Sequence, residues 1–288
     1  MLHTLLYFLA LFSLSTSPNW ARLSQMPVDV LGFWRLLIAS VLIFVWVFFY
    51  RRQPFPRIEK KFFWVIASGI FFFGHLWTYK YASKTTSVAN TMIFFATNPI
   101  WSTLGSIFFF NERFTRRLGL AYLLALSGIT LLVSHQFDLN STGFLGDISA
   151  IASALLFSAY ILTGKRARIY YSNSVYASFQ YLIGAICFFL AVLISGHDFT
   201  NHSTISWTAV AGLVIFPTLL GHLSFSYLMS TMNLSLMSCG KLIEPVLASI
   251  IAYFVFGELL TPHAIMAFIL TASALFVLFM PSLRFSKT

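Results

Sequence analysis

The stretch GHLWTYKYASKTTSVANTMIFFATNPIWSTLGSIFFFNER, residues 74–113, has a counterpart in GHLSFSYLMSTMNLSLMSCGKLIEPVLASIIAYFVFGELL, residues 221–260. Both open on Gly-His-Leu. Pro99 and Pro245 stand 146 residues apart, and so do Glu112 and Glu258. Further upstream NWARL faces KRARI, with Ala21 matching Ala167 and Arg22 matching Arg168 at the same offset. One spacing that recurs at separate places marks an internal duplication, and the chain reads as two halves, 1–138 and 139–288.

Composition sets the solvent. With 58% hydrophobic residues, only 9% charged ones and a mean hydropathy of +0.82, the chain is too apolar for a soluble globular protein. Backbone groups in lipid must be satisfied within the protein, and apolar stretches of about 20 residues, against about 10 for a barrel strand, predict helices. Apolar windows bounded by charges or turn formers give ten spans: 2–17, 31–50, 62–80, 88–110, 118–134, 144–164, 175–195, 207–229, 235–256 and 264–281. The first resembles a signal-peptide core but lacks a basic start.

Ten spans place four basic clusters on one side: Arg51, Arg52, Arg57, Lys60 and Lys61; Arg113, Arg116 and Arg117; Lys165, Arg166 and Arg168; Arg284 and Lys287. Arg22, Lys80 and Lys84 are left on the other. The positive-inside rule then puts both termini in the cytoplasm. Five spans per half is an odd number, so the second half sits inverted in the membrane, an arrangement typical of secondary transporters. The net charge of +10 comes from these scattered clusters, with no basic stripe or stacking motif for nucleic acid. Cys187 and Cys239 fall in apolar segments and read as packing residues. Connections are short and no linker or soluble domain interrupts the spans, so a ligand site must lie among the helices.

MPVDVLGFWRLLIASVLIF (26–44), TNPIWSTLGSIFFFNERFTRRLGLAYLLALSGITLL (97–132) and IEPVLASIIAYFVFGELLTPHAIMAFILTASALFVLF (243–279) resemble the drug/metabolite transporter superfamily, EamA type. The resemblance covers nearly the whole chain. It implies an all-α membrane fold of ten transmembrane helices, two inverted repeats around a central cavity, and transport of small metabolites across a bacterial cytoplasmic membrane. The shared motifs belong to the scaffold and do not name a substrate.

Candidate site residues follow from polarity inside apolar spans. Lys241 and Glu244 are three residues apart and share a helical face. Each charge costs about 2.5–3.5 kcal/mol near a helix centre in lipid, so they belong in a cavity or the protein interior. There Lys241 can bind a carboxylate or phosphate and Glu244 an amine or a coupling proton; alternatively the two pair with each other, or Glu244 caps backbone freed by Pro245. Pro99 and Pro245 each remove a backbone donor and predict kinks that offer free carbonyls, with Asn98 beside the first. Arg35 offers a planar fork for an anion or snorkels to the outer interface. His75 and His222 are either proton-coupling or packing residues. Trp77, Tyr79, Trp101, Tyr227 and Tyr253 are candidates for an aromatic lining.

Glu112 and Glu258 read as structural, ahead of Thr115 and Thr261 as helix caps and Pro262 in a first helical turn. Ala150, Ala154 and Ser158, and Ala248 and Ala252, predict close helix approaches. No cofactor or metal is implied. The chain contains no G-x-x-x-x-G-K-[ST] loop for an ATP motor, and no His-Glu-x-x-His or Gly-x-Ser-x-Gly for an intramembrane enzyme. A channel fits less well than alternating access, because no filter motif is found. The expected function is secondary transport of small polar metabolites such as amino acids, by export or exchange. The alternative is import or exchange of nucleotide-like cofactors or organic phosphates.

Overall fold

The structure, a computed structural model, describes residues 2–86, 91, 94–134, 143–257 and 262–279. Glu258, Thr261, Arg284 and Lys287 lie outside them, as does the side chain of Lys84. Among the described residues every regular element is a helix. The helices are α1 (Leu2–Ser15), α2 (Ser17–Leu23), α3 (Val28–Phe44, extended by wide turns to Tyr50), α4 (Phe63–Thr85), α5 (Asn98–Phe110), α6 (Arg116–Val133) and α7 (Phe144–Ala167). They continue as α8 (Asn173–Ser195), α9 (Thr204–Leu213), a π-helical stretch Val214–His222, α10 (Leu223–Leu228), α11 (Leu234–Gly240), α12 (Glu244–Phe256) and α13 (Pro262–Phe279).

Among the described residues seven stretches are long and apolar enough to cross a bilayer: Val28–Tyr50, Lys60–Ser83, Phe144–Ala167, Asn173–Ser195, Thr204–Leu228, Leu234–Phe256 and Pro262–Phe279. The other three expected spans differ for local reasons. α1 has only 14 residues and α5 only 13, because a helix starts at Asn98; α6 has 18, of which the last, Val133, has its side chain outside the described residues. Part of the window 88–110 also lies outside the described residues. α1 is nevertheless integral to the bundle: Tyr7, Ala10 and Leu11 are buried, and the Tyr7 hydroxyl donates to the Met237 carbonyl at 2.6 Å.

The offset seen in the sequence recurs in the helix bounds. α5 and α12 differ by 146 at both ends, as do α6 and α13. α5 and α12 also stop alike, each on a left-handed residue: Asn111 at φ 53° and Gly257 at φ 68°. Glycine adopts this conformation without a Cβ penalty, and asparagine is among the few residues that tolerate it. Packing repeats as well: α3 lies on α8 and α6 on α13, while α4 lies on α7 and α1 on the Val214–His222 stretch. Small residues set these approaches. Ala150 and Ala154 on α7 are fully buried, and Ser158 donates to the Asn98 carbonyl at 2.9 Å.

Contacts sort the loops into two ends. At one, Lys61 lies over the Tyr170 ring, Ser172 donates to Gln53, and Lys165 pairs with Glu112 at 2.7 Å. At the other, His197 meets Asp29 at 2.8 Å, Gln25 donates to Ser206, and Thr86 donates to Asp147. Thr115 caps α6, accepting from Leu118 N–H.

The α1–α11 contact gives a test. A Cβ at Gly240 would collide with the Tyr7 hydroxyl. Gly240→Ala should therefore destabilise by about 1–3 kcal/mol, as overpacking does. In a Tyr7→Phe background most of that loss should vanish. Thermal unfolding of the four proteins in detergent checks the coupling, and additive losses would exclude the contact.

Candidate transport cavity

A cavity of about 490 Å³ lies among the helices, bordered by Arg35, His75, Tyr79, Asn98, His222, Lys241, Glu244 and Pro245, with apolar walls that include Phe95, Phe157 and Phe188. Ser17, Pro18, Arg22, Lys80 and Ser83 extend it toward one end of the bundle.

Prolines build its polar floor. Pro245 has no N–H for the carbonyl four residues earlier, so the helix tightens into a 3₁₀ turn at Lys241–Ile243 and restarts at Glu244. That break turns Lys241 and Glu244 toward each other. Their Nζ–Oε1 separation is 2.5 Å, and the ammonium lies over the Phe157 ring at 4.9 Å and the Phe225 ring at 5.2 Å. Two ring faces and one carboxylate replace the water that an ammonium loses on burial.

The first half solves the same problem with different chemistry. Pro99 would orphan the Phe95 carbonyl, and the Asn98 side-chain amide donates to it at 2.9 Å. The Asn98 carbonyl accepts from Ser102 and Ser158, and the Pro99 carbonyl from Tyr122. The expectation of free carbonyls beside both prolines is thus corrected: neighbouring donors fill them at Pro99, and beside Pro245 the Lys241 carbonyl accepts from Glu244 N–H. The expectation that Glu244 caps freed backbone is corrected too. An ionised carboxylate has no proton to give a carbonyl, and here it takes the lysine ammonium instead. Asn98 Oδ1 is buried at the cavity with no hydrogen-bond partner among the described residues.

Arg35 is only 7% exposed, which rules out snorkelling to an interface. Its anchor comes from another proline. Pro217 cannot donate to the Leu213 carbonyl, so the Thr218 hydroxyl does at 2.7 Å and accepts from Arg35 Nε at 2.8 Å. Among the described residues no carboxylate pairs with Arg35. Ser153 donates its single hydroxyl proton to the His75 carbonyl at 3.1 Å, which leaves His75 Nδ1 as donor in their 2.9 Å contact. His222 packs edge-on against Phe72.

Of the five aromatic candidates only Tyr79 borders the cavity. Trp77 packs on Phe73 and Phe188 outside it, and Trp101, Tyr227 and Tyr253 are exposed on the outer surface. Sequence reasoning missed Phe157 and Phe225, which are two among 33 phenylalanines. It also missed Pro217 and Thr218, whose signal was legible as a proline inside an apolar span. Arg22 and Lys80 entered only as topology charges, and Arg22 also lies over the Phe256 ring. Among the described residues no cluster of three His, Cys, Asp or Glu side chains suits a metal.

A multi-pass helical bundle with a polar cavity at its broken helices is the form of a membrane transporter. The sequence pattern of the EamA-like transporter family matches residues 1–134 and again 144–280, and the chain belongs to that family. Two proteins of Archaeoglobus fulgidus, each named only as an uncharacterized transporter, are similar to it. One is 24% identical over 79% of this chain and 79% of its own length, the other 26% identical over 68% and 69%. A solved crystal structure shares the fold with a TM-score of 0.81, covering 96% of this chain and 95% of that one at 21% identity.

The Lys241–Glu244 pair makes a measurable demand. Lys241→Met leaves a carboxylate without its ion partner and should lower stability by about 3–5 kcal/mol, whereas Lys241→Met with Glu244→Gln should recover most of it. Unfolding temperatures of the purified variants decide, and a double variant no better than the single one would show that the two groups do not depend on each other.

Proposed function

We propose that the protein is a secondary active transporter that moves small polar metabolites such as amino acids by alternating access, as an exporter or exchanger. The observation that carries this reading is a charged pair held at a helix break inside a cavity within the membrane-spanning bundle. Ionisable groups at such depth mark substrate or ion pathways by default. The proposed ligand residues are Lys241, Glu244, Arg35 and Asn98, with Tyr79 lining the pathway and His75 and His222 available for proton coupling; Pro99 and Pro245 act as hinges. Trp77 supports the wall from behind through Phe188.

The proposed topology is ten spans in two inverted five-helix halves, 1–138 and 139–288, with both termini cytoplasmic in a bacterial inner membrane. The repeated helix bounds and the common end shared by the basic loops support it. The partners are a small-molecule substrate and the lipid bilayer, with no nucleic acid, and transport draws on gradients or exchange. A second reading, import or exchange of nucleotide-like cofactors or organic phosphates, is favoured by Arg35, a buried guanidinium without a carboxylate partner among the described residues.

Counterflow in proteoliposomes preloaded separately with amino acids, nucleotides or organic acids separates the two. The expected result is saturable exchange of amino acids, reduced about tenfold or more in Lys241→Ala. Exchange confined to nucleotides would select the second reading. Undiminished exchange by Lys241→Ala would remove the ion pair from the binding site.

A further inference from the structure

Glu112 does more than end a helix. It lies just beyond α5 and is 8% exposed, and its two carboxylate oxygens accept four hydrogen bonds. Oε1 accepts from Lys165 Nζ at 2.7 Å and Leu234 N–H at 2.9 Å; Oε2 accepts from Ser235 N–H at 3.2 Å and Ser235 Oγ at 3.0 Å. One side chain of the first half thereby grips the end of α7 and the N-terminus of α11, both in the second. Burial pushes the carboxyl pKa up, but the Lys165 ammonium and the two backbone N–H groups outweigh it and hold the group below the usual carboxylate range.

The grip lies at the end of the bundle away from the cavity mouth. α4 and α7 run antiparallel, since Ser68 meets Tyr160 and His75 meets Ser153. Lys165 is eight residues past Phe157, about 12 Å along α7, while Ser83 is about 12 Å past His75 in the opposite direction. Between Glu112 and the cavity runs a polar seam: Ser106 Oγ meets Ser235 Oγ at 2.8 Å, and the Tyr122 hydroxyl meets Thr103 Oγ1 at 2.5 Å and the Ser235 carbonyl at 3.2 Å. Six residues beyond Ser235, α11 has given way to the turn that bears Lys241. At the internal offset of 146, Lys165 corresponds to Asn19, which instead donates to the Ala248 carbonyl at 3.2 Å.

We propose that Glu112, by holding Lys165 and the N-terminus of α11, is the latch that keeps the cavity shut on the side opposite its mouth, and that its release opens the cavity there. The latch rests on the alternating-access reading, but its test needs no cargo. Cys239 lies one turn past Ser235 on the same face of α11 and is buried, so it reports opening of the seam.

With Cys187→Ser as the parent, Cys239 is the single cysteine. Its rate of modification by a small water-soluble methanethiosulfonate is measured in micelles, well below the unfolding temperature. Glu112→Gln should accelerate it about tenfold, Lys165→Met several-fold, and Lys165→Arg hardly at all. Should Glu112→Gln fail to fold, Lys165→Met, which retains the cap on α11, decides alone. Unchanged labelling in the folded variants would overturn the proposal. Equal acceleration at Ala150→Cys, measured with Cys239 also replaced by serine, would overturn it too, because it would show general loosening. Failure of the counterflow assay with these labelling rates intact would reject the cargo and leave the latch.

Discussion

A proline inside lipid leaves a carbonyl that water cannot reach, and the arrangement of this protein's interior follows from how three such carbonyls are handled. At Pro99 the preceding asparagine donates back to the Phe95 carbonyl. At Pro217 the following threonine donates to the Leu213 carbonyl and becomes the seat of Arg35. At Pro245 the chain tightens and restarts, which brings Lys241 and Glu244 together over two phenyl rings. Each break brings polar groups to one cavity.

Pro99 and Pro245 hold matched positions at the offset of 146, whereas Pro217 falls opposite Phe71, and side chains that differ at matched positions give the cavity its character. Asn98 and Glu244 occupy corresponding positions, so an amide that serves its own backbone faces a carboxylate that needs a cation. Lys165 and Asn19 correspond in the same way: the lysine pairs with Glu112, whereas the asparagine donates to the Ala248 carbonyl.

Much of this was legible in the chain. The offset of 146 predicted helix bounds that recur in α5 and α12 and in α6 and α13, and Thr115 was readable as a cap. Lys241 and Glu244 announced themselves by cost, since charges in an apolar run must find partners. Less legible was which partner each would choose. Spacing put Lys241 and Glu244 on one face but not over Phe157, which is 84 positions earlier in the chain. Arg35 looked equally suited to an interface because its seat depends on a threonine 183 residues away. The expected continuous span 88–110 likewise hid a helix start at Asn98, which becomes clear once the orphaned carbonyl of Phe95 is assigned its donor.

The most direct test of a carrier that works by parting its halves is to lock them. Ser106 and Ser235 have hydroxyl oxygens 2.8 Å apart, which puts cysteines at these positions within disulfide reach. In a protein carrying Ser106→Cys and Ser235→Cys, with Cys187 and Cys239 replaced by serine, oxidation should arrest exchange of the transported solute and reduction should restore it. Undiminished exchange with the cross-link complete would show that the seam between α5 and α11 need not open, and alternating access about this cavity would be wrong.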